Sequence, residues 1–135
     1  MSALKINNLN HQIKNSDILR NISIETEEDK IACILGPSGS GKTTLLKLIA
    51  GLENAQKGEI YIKGKLVSSP NTHIKTEERD IGFLFQDFAL FPHLTVQENL
   101  KFAINGNADA NIQINEIMKL IKLPNSLKKY PHELS

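Results

Sequence analysis

Apolar positions recur along this chain in runs of two kinds, and the period of each run predicts an element. From Ala3 to Leu9, the residues Leu4, Ile6 and Leu9 partly alternate with polar ones, and Ile22 and Ile24 repeat the pattern within Leu19–Glu25. Two half-buried antiparallel strands are expected there. Glu27-Glu28-Asp29-Lys30 reads as a solvated, charged turn. The run Ile31-Ala32-Cys33-Ile34-Leu35 is continuously apolar, the pattern of a strand covered on both faces of a parallel sheet. Leu45, Leu46, Leu48, Ile49 and Leu52 then fall at helical spacing, and Gly51 offers a stop. Lys57-Gly58-Glu59 turns into Ile60-Tyr61-Ile62, and Gly64-Lys65 marks a hairpin before a polar loop from Ser68 to Glu78. Ile81-Gly82-Phe83-Leu84-Phe85 is a second buried-strand pattern, ending on Gln86. Thr95 with Glu98 fits a capping box, so a helix is expected to start there. Farther on, Ile114, Ile117, Met118 and Ile121 make one apolar helical face that reads as core.

Composition narrows the picture only slightly. The 135 residues suit one modest domain, and a net charge of +1 with 23% charged residues gives no basic excess, so no nucleic-acid partner is expected. Cys33, the single cysteine, lies in a strand expected to be buried, which predicts a packing role and a reducing compartment. No apolar run approaches the roughly 20 residues of a membrane span, and the polar N-terminus lacks a signal-peptide core. A soluble, cytoplasmic chain is expected. Histidines 11, 73, 93 and 132 show no metal-ligand spacing, so no structural metal is assigned.

The chemistry sits between the first continuous run and the first helix. Gly36-Pro37-Ser38-Gly39-Ser40-Gly41-Lys42-Thr43 fits the phosphate-binding loop pattern G-x-x-x-x-G-K-[ST]. Glycines let the main chain wrap closely around an anion with its N–H groups pointing inward. Lys42 would reach the β and γ phosphates as a point charge, Thr43 would offer its hydroxyl to Mg²⁺, and the helix would direct its N-terminal dipole at the phosphates. A flexible linker would not be bracketed by two well-formed apolar elements. Gln86, at the carboxyl end of the second continuous run, is placed where ligands bind in open α/β sheets. It is either an amide ligand for Mg²⁺ or water, or an ordinary exposed glutamine at a strand exit.

Four segments together carry a resemblance. GPSGSGKTT (Gly36 to Thr44), RDIGFLFQ (Arg79 to Gln86), FALFPHLTVQEN (Phe88 to Asn99) and YPHELS (Tyr130 to Ser135) resemble the ATP-binding subunit of ABC transporters. The similarity extends over the whole chain and is nearest to importer ATPases that serve maltose, polyamines, ferric iron, sulfate or molybdate. It implies an α/β fold: an incomplete phosphate-loop NTPase core with an N-terminal antiparallel β subdomain (residues 1–86) and the start of a helical subdomain (87–135). It also implies that Gly36, Pro37, Ser38, Gly39, Ser40, Gly41, Lys42, Thr43 and Thr44 hold ATP, with Lys42 and Gln86 acting in catalysis and Thr43 and Gln86 on Mg²⁺. The implied partners are membrane permease subunits, met through Gln86–Asn99, and a second copy in a homodimer. The implied location is the inner face of the cell membrane.

Two departures from that pattern bear on function. Where the family carries an aromatic ring against adenine, this chain has Ile13, which implies looser base selectivity unless a shift of two residues brings in His11. Leu134-Ser135 matches only the first two residues of the family's L-S-G-G-Q signature, and the family's later aspartate, glutamate and histidine do not appear. The chain alone is therefore expected to bind nucleotide without completing hydrolysis. Alternative readings are a non-catalytic nucleotide-binding fragment, a soluble ABC ATPase without transport, and a small kinase or GTPase. Phe88 to Asn99 argues against the second, and Gln86 with the Tyr130 to Ser135 ending against the third.

Overall fold

Two asparagines set the phase of the first hairpin. In the computed structural model, which describes residues 2–87, 89–104, 109–123 and 125–134, β1 (Ser2–Ile13) pairs antiparallel with β2 (Ser16–Glu27). Asn8 and Asn21, one on each side of the Leu9–Ile22 pair, both adopt left-handed conformation, with φ of 49° and 50°. The Asn8 amide donates to the Asn21 side-chain oxygen at 2.8 Å, and the Asn21 backbone N–H donates to the Asn10 side chain at 2.9 Å. Each asparagine adds a bulge, and a bulge exchanges the two faces of a strand. That explains the imperfect alternation: Ile6 and Leu9 in β1 both reach the core despite their odd separation. In β2, Leu19 is buried while Ile22 and Ile24 pack on the same core.

The sheet grows from β1. Beyond it lie β3 (Lys57–Ile62), β4 (Lys65–Ser69) and the short β5 (Thr72–His73), in the order β2-β1-β3-β4-β5 with every pairing antiparallel. The predicted hairpin is present, turning on Lys63 and Gly64 with φ of 48° and 75°, the signature of a tight turn matched to strand twist. Helix α1 (Lys42–Ala50) lays Leu45 and Leu48 into the cluster formed by Ile6, Leu9, Leu19, Ile60, Ile62 and Val67. It ends on Gly51 at φ 81°, as the stop signal predicts.

The two continuous apolar runs are the main corrections. Neither Ile31–Leu35 nor Ile81–Phe85 forms a strand, and neither belongs to the five-stranded sheet. Ile31 is 95% exposed and Leu35 91%, and Cys33 is exposed, so its expected packing role is overturned as well. The physical reason is that apolar composition records what a segment requires around it, whereas a strand exists only where neighbours complete its ladder. The antiparallel sheet provides no such neighbour.

The chain divides into two compact units, Met1–Phe83 and Leu84–Ser135. In the second, α2 (Val96–Ile104) packs with α3 (Ala110–Leu120). The capping box that predicts α2 is formed in full. Thr95 N–H donates to the Glu98 carboxylate at 2.7 Å, and the Glu98 N–H donates back to the Thr95 hydroxyl at 3.3 Å. The expected apolar face of α3 is narrower than its pattern suggests. Ala110, Ile114 and Met118 are buried, while Ile117 and Ile121 flank that stripe and remain exposed.

Candidate functional site

The loop between the first extended run and α1 is shaped by its glycines. Gly39 and Gly41 adopt φ of 80° and 87°, a region that side chains disfavour. At Gly41 space is restricted too, because a Cβ there would lie 2.9 Å from Leu19 Cδ2 and 3.0 Å from the Ile18 carbonyl oxygen. The loop therefore rests directly on β2, and the hairpin fixes where α1 begins. Gly41 caps that helix without any side-chain acceptor, and no acidic residue occupies the first turn. The free N–H groups of a helix start thus face outward with no carboxylate competing for them.

Lys42 opens α1 and folds back over the loop. Its ammonium donates to the carbonyls of Gly36 at 2.9 Å and Pro37 at 2.7 Å, and to the Ser40 hydroxyl at 3.3 Å. A cation, a set of uncapped N–H groups and the exposed Thr43 hydroxyl are thereby gathered at one helix end. Such a site attracts an anion with several oxygens.

Ile13 closes the β1–β2 hairpin opposite Ser16 and is 41% exposed, so an aliphatic surface is available there. His11, two residues earlier, is turned away from solvent. The imidazole is 7% exposed and its Nε2 lies 3.4 Å from the Glu53 carboxylate, within the core side of the hairpin. Gln86 is exposed in a turn that belongs to the second unit, whereas the glycine loop belongs to the first. Phe88 and Ser135, both within segments that carry the resemblance, lie outside the described residues.

The second unit is held around α2 by polar contacts that the apolar pattern did not reveal. Asn99 accepts from the Phe91 N–H at 3.0 Å and donates to the carbonyls of Phe91, Leu94 and Thr95, fastening the preceding loop to the helix. Val96 and Gln97 N–H groups are accepted by the Lys129 and Leu127 carbonyls at 2.8 and 3.0 Å. A more consequential omission is Arg79 in the first unit. It is 2% exposed and donates to four main-chain carbonyls. Its surroundings in sequence are polar, and nothing in that pattern separates a buried arginine from a solvated one.

A glycine loop that passes through left-handed turns into the start of a helix, with lysine at the first helical position, defines a phosphate-loop nucleotide-binding protein. The chain belongs to the ABC transporter family, whose model matches residues 19–135. It is 39% identical to the sulfate/thiosulfate import ATP-binding protein CysA of Neisseria meningitidis serogroup A, over 98% of this chain and 38% of that protein. It is 37% identical to the Fe(3+) ions import ATP-binding protein FbpC of Yersinia pestis bv. Antiqua, over 100% of this chain and 39% of that one. Among solved structures, the ATP-binding cassette MJ0796, in a dimeric post-hydrolysis state bound to ADP and Pi, superposes with a TM-score of 0.78 at 27% identity. That match covers 98% of this chain and 63% of the cassette. The chain thus spans less than two-fifths of the length of these import proteins.

Proposed function

We propose that this chain is the nucleotide-binding part of an ABC importer's ATP-binding subunit, in which Mg-ATP binding and hydrolysis are coupled to solute uptake. The observation that carries the reading is the convergence of Lys42 and the uncapped start of α1 on the Gly36–Thr44 loop. Residues Gly36, Ser38, Gly39, Ser40, Gly41, Lys42, Thr43 and Thr44 supply N–H groups to the phosphates, while Pro37, which has none, shapes the turn. Lys42 exchanges its loop carbonyls for β and γ phosphate oxygens. The donors are hard oxygens, which suits Mg²⁺ that arrives with nucleotide. The Thr43 hydroxyl of the first unit and the Gln86 amide oxygen of the second are each a hard oxygen ligand of the kind such an ion takes from protein. When bound, such an ion would supply charge neutralisation to the phosphates, and Gln86 would also orient the attacking water.

Ile13 meets the base with aliphatic contact only. Since stacking on a ring is worth about 1–3 kcal/mol, GTP is expected to compete with ATP within about tenfold. A strong preference for ATP that survives Ile13→Ala would remove Ile13 from the site. Partnership with permease subunits through Gln86–Asn99, pairing with a second copy, and a place on the cytoplasmic face of the membrane extend the same reading. The similarity to import ATP-binding proteins supports it, as does the exposure of Leu90, Phe91 and Phe102 in the second unit. No helix among the described residues is long and apolar enough to cross a membrane.

Equilibrium binding of Mg-ATP tests the core of the proposal. Lys42→Ala removes charge-assisted hydrogen bonds worth about 1.5–3 kcal/mol and is expected to weaken binding roughly 10- to 100-fold. Unchanged affinity in a folded variant would overturn it.

A further inference from the structure

The Arg79 guanidinium ties together three parts of the first unit. Its Nη1 donates to the carbonyls of Leu48 at 2.9 Å and Ile49 at 2.8 Å, in the last turn of α1. Nη2 donates to Val67 of β4 at 3.1 Å and Nε to Ile74 at 2.7 Å, with the His73 Nδ1 a further 3.5 Å contact. These acceptors are neutral. Burial depresses the Arg79 pKa from its ordinary value, yet the group stays protonated, so a buried cation is balanced mainly by the partial negative charge of a helix C-terminus. The backbone is shaped to admit it: at Gly51 a Cβ would lie 2.5 Å from Arg79 Nε and 2.7 Å from its Cζ.

We propose that Arg79 is a positioning residue for the phosphate loop, clamping the C-terminal end of α1 so that its N-terminal end presents Lys42, Thr43 and the loop N–H groups in register with a nucleotide's phosphates. This rests on the nucleotide-binding reading above. The helix is nine residues long, so the clamp acts about 13 Å from the loop. At the other end Gly41 rests on Ile18 and Leu19. A rigid rod held at both ends cannot slide or tilt. Releasing one end allows displacements on the order of 1 Å, enough to cost up to about 100-fold where several donors must meet one group. The fork geometry matters as much as the charge, because a guanidinium holds its donors in a fixed planar array whereas a lysine ammonium is a point charge on a flexible stem.

The test uses the full chain, comparing Arg79→Gln, Arg79→Lys and Gly51→Ala with Lys42→Ala as the reference. Binding of ATP, ADP and AMP with Mg²⁺ is measured well below each variant's melting temperature, and amide exchange is followed in α1 and the loop. The expected result is a loss that grows with phosphate number, about tenfold or more for ATP and under twofold for AMP. Amides of residues 39–44 should exchange faster while those of β1 are unchanged, and Arg79→Lys should not restore ATP affinity. Equal losses for all three nucleotides, or wild-type ATP affinity in a folded variant, would overturn the clamp. Should Arg79→Gln not fold, Arg79→Lys decides on the same criteria, since it keeps the charge and removes the fork. If Lys42→Ala also leaves ATP binding unchanged, the nucleotide reading itself fails. If Lys42→Ala weakens ATP and the clamp variants do not, only the role of Arg79 is lost.

Discussion

Gly41 carries two demands at once, a left-handed backbone and contact with β2 closer than any Cβ permits. Gly41→Ala meets both penalties and is expected to destabilise the first unit by about 1–3 kcal/mol, read as a lower denaturation midpoint. Gly39→Ala separates them, because φ is 80° there but nothing lies within 4 Å of its Cβ position. About 1–2 kcal/mol is expected from backbone strain alone. Such residues are legible in sequence because the glycine loop repeats a known spacing. Arg79 was not legible beyond its place in a motif, since its role depends on carbonyls contributed by Leu48, Ile49, Val67 and Ile74, which sequence distance does not bring together.

Among elements, α2 shows how a local signal becomes a pH response. Hydrogen bonds from the Thr95 backbone and hydroxyl hold the Glu98 carboxylate below its ordinary pKa, assisted by Lys101 and His93. A depressed carboxylate stabilises the folded form fully above its ordinary range, and that contribution is lost as pH falls through the folded value. The first turn of α2 is therefore expected to fray as pH falls below the ordinary carboxylate range, visible as loss of helical amide shifts at residues 96–99. Glu98→Gln should abolish that pH dependence. Thr95→Ala should cost about 1 kcal/mol at neutral pH. The capping box was readable because its partners are three residues apart. The bulges at Asn8 and Asn21 were not, because one extra residue in each strand looks in sequence like weak alternation until the cross-strand pair is seen.

Taken whole, the described chain pairs a fully antiparallel sheet with two apolar segments that join no sheet. Ile31, Leu35 and Leu84 are 95%, 91% and 75% exposed, and extended apolar chain of this kind invites association. Expressed as these 135 residues, the protein is expected to self-associate at micromolar concentration, and Ile31→Asn with Leu35→Lys should shift sedimentation toward the monomer. Fold class was legible because motif order and hairpin spacing are local properties. The pairing state of the continuous runs was not, because it is decided by whichever segments stand alongside them.

The order of strands also sets an order in time. Ile6 pairs with Ile24 on one side and with Ile60 on the other, so β1 is completed by partners on either flank of the phosphate loop. During synthesis the β1–β2 hairpin can close as soon as β2 emerges, whereas the second edge of β1 must wait for β3, across a span on the order of 50 residues. Until then the glycine loop hangs from a single hairpin. The bonds between β1 and β3 should therefore mature late in refolding, and slowing them should delay the appearance of a competent loop without altering its final form.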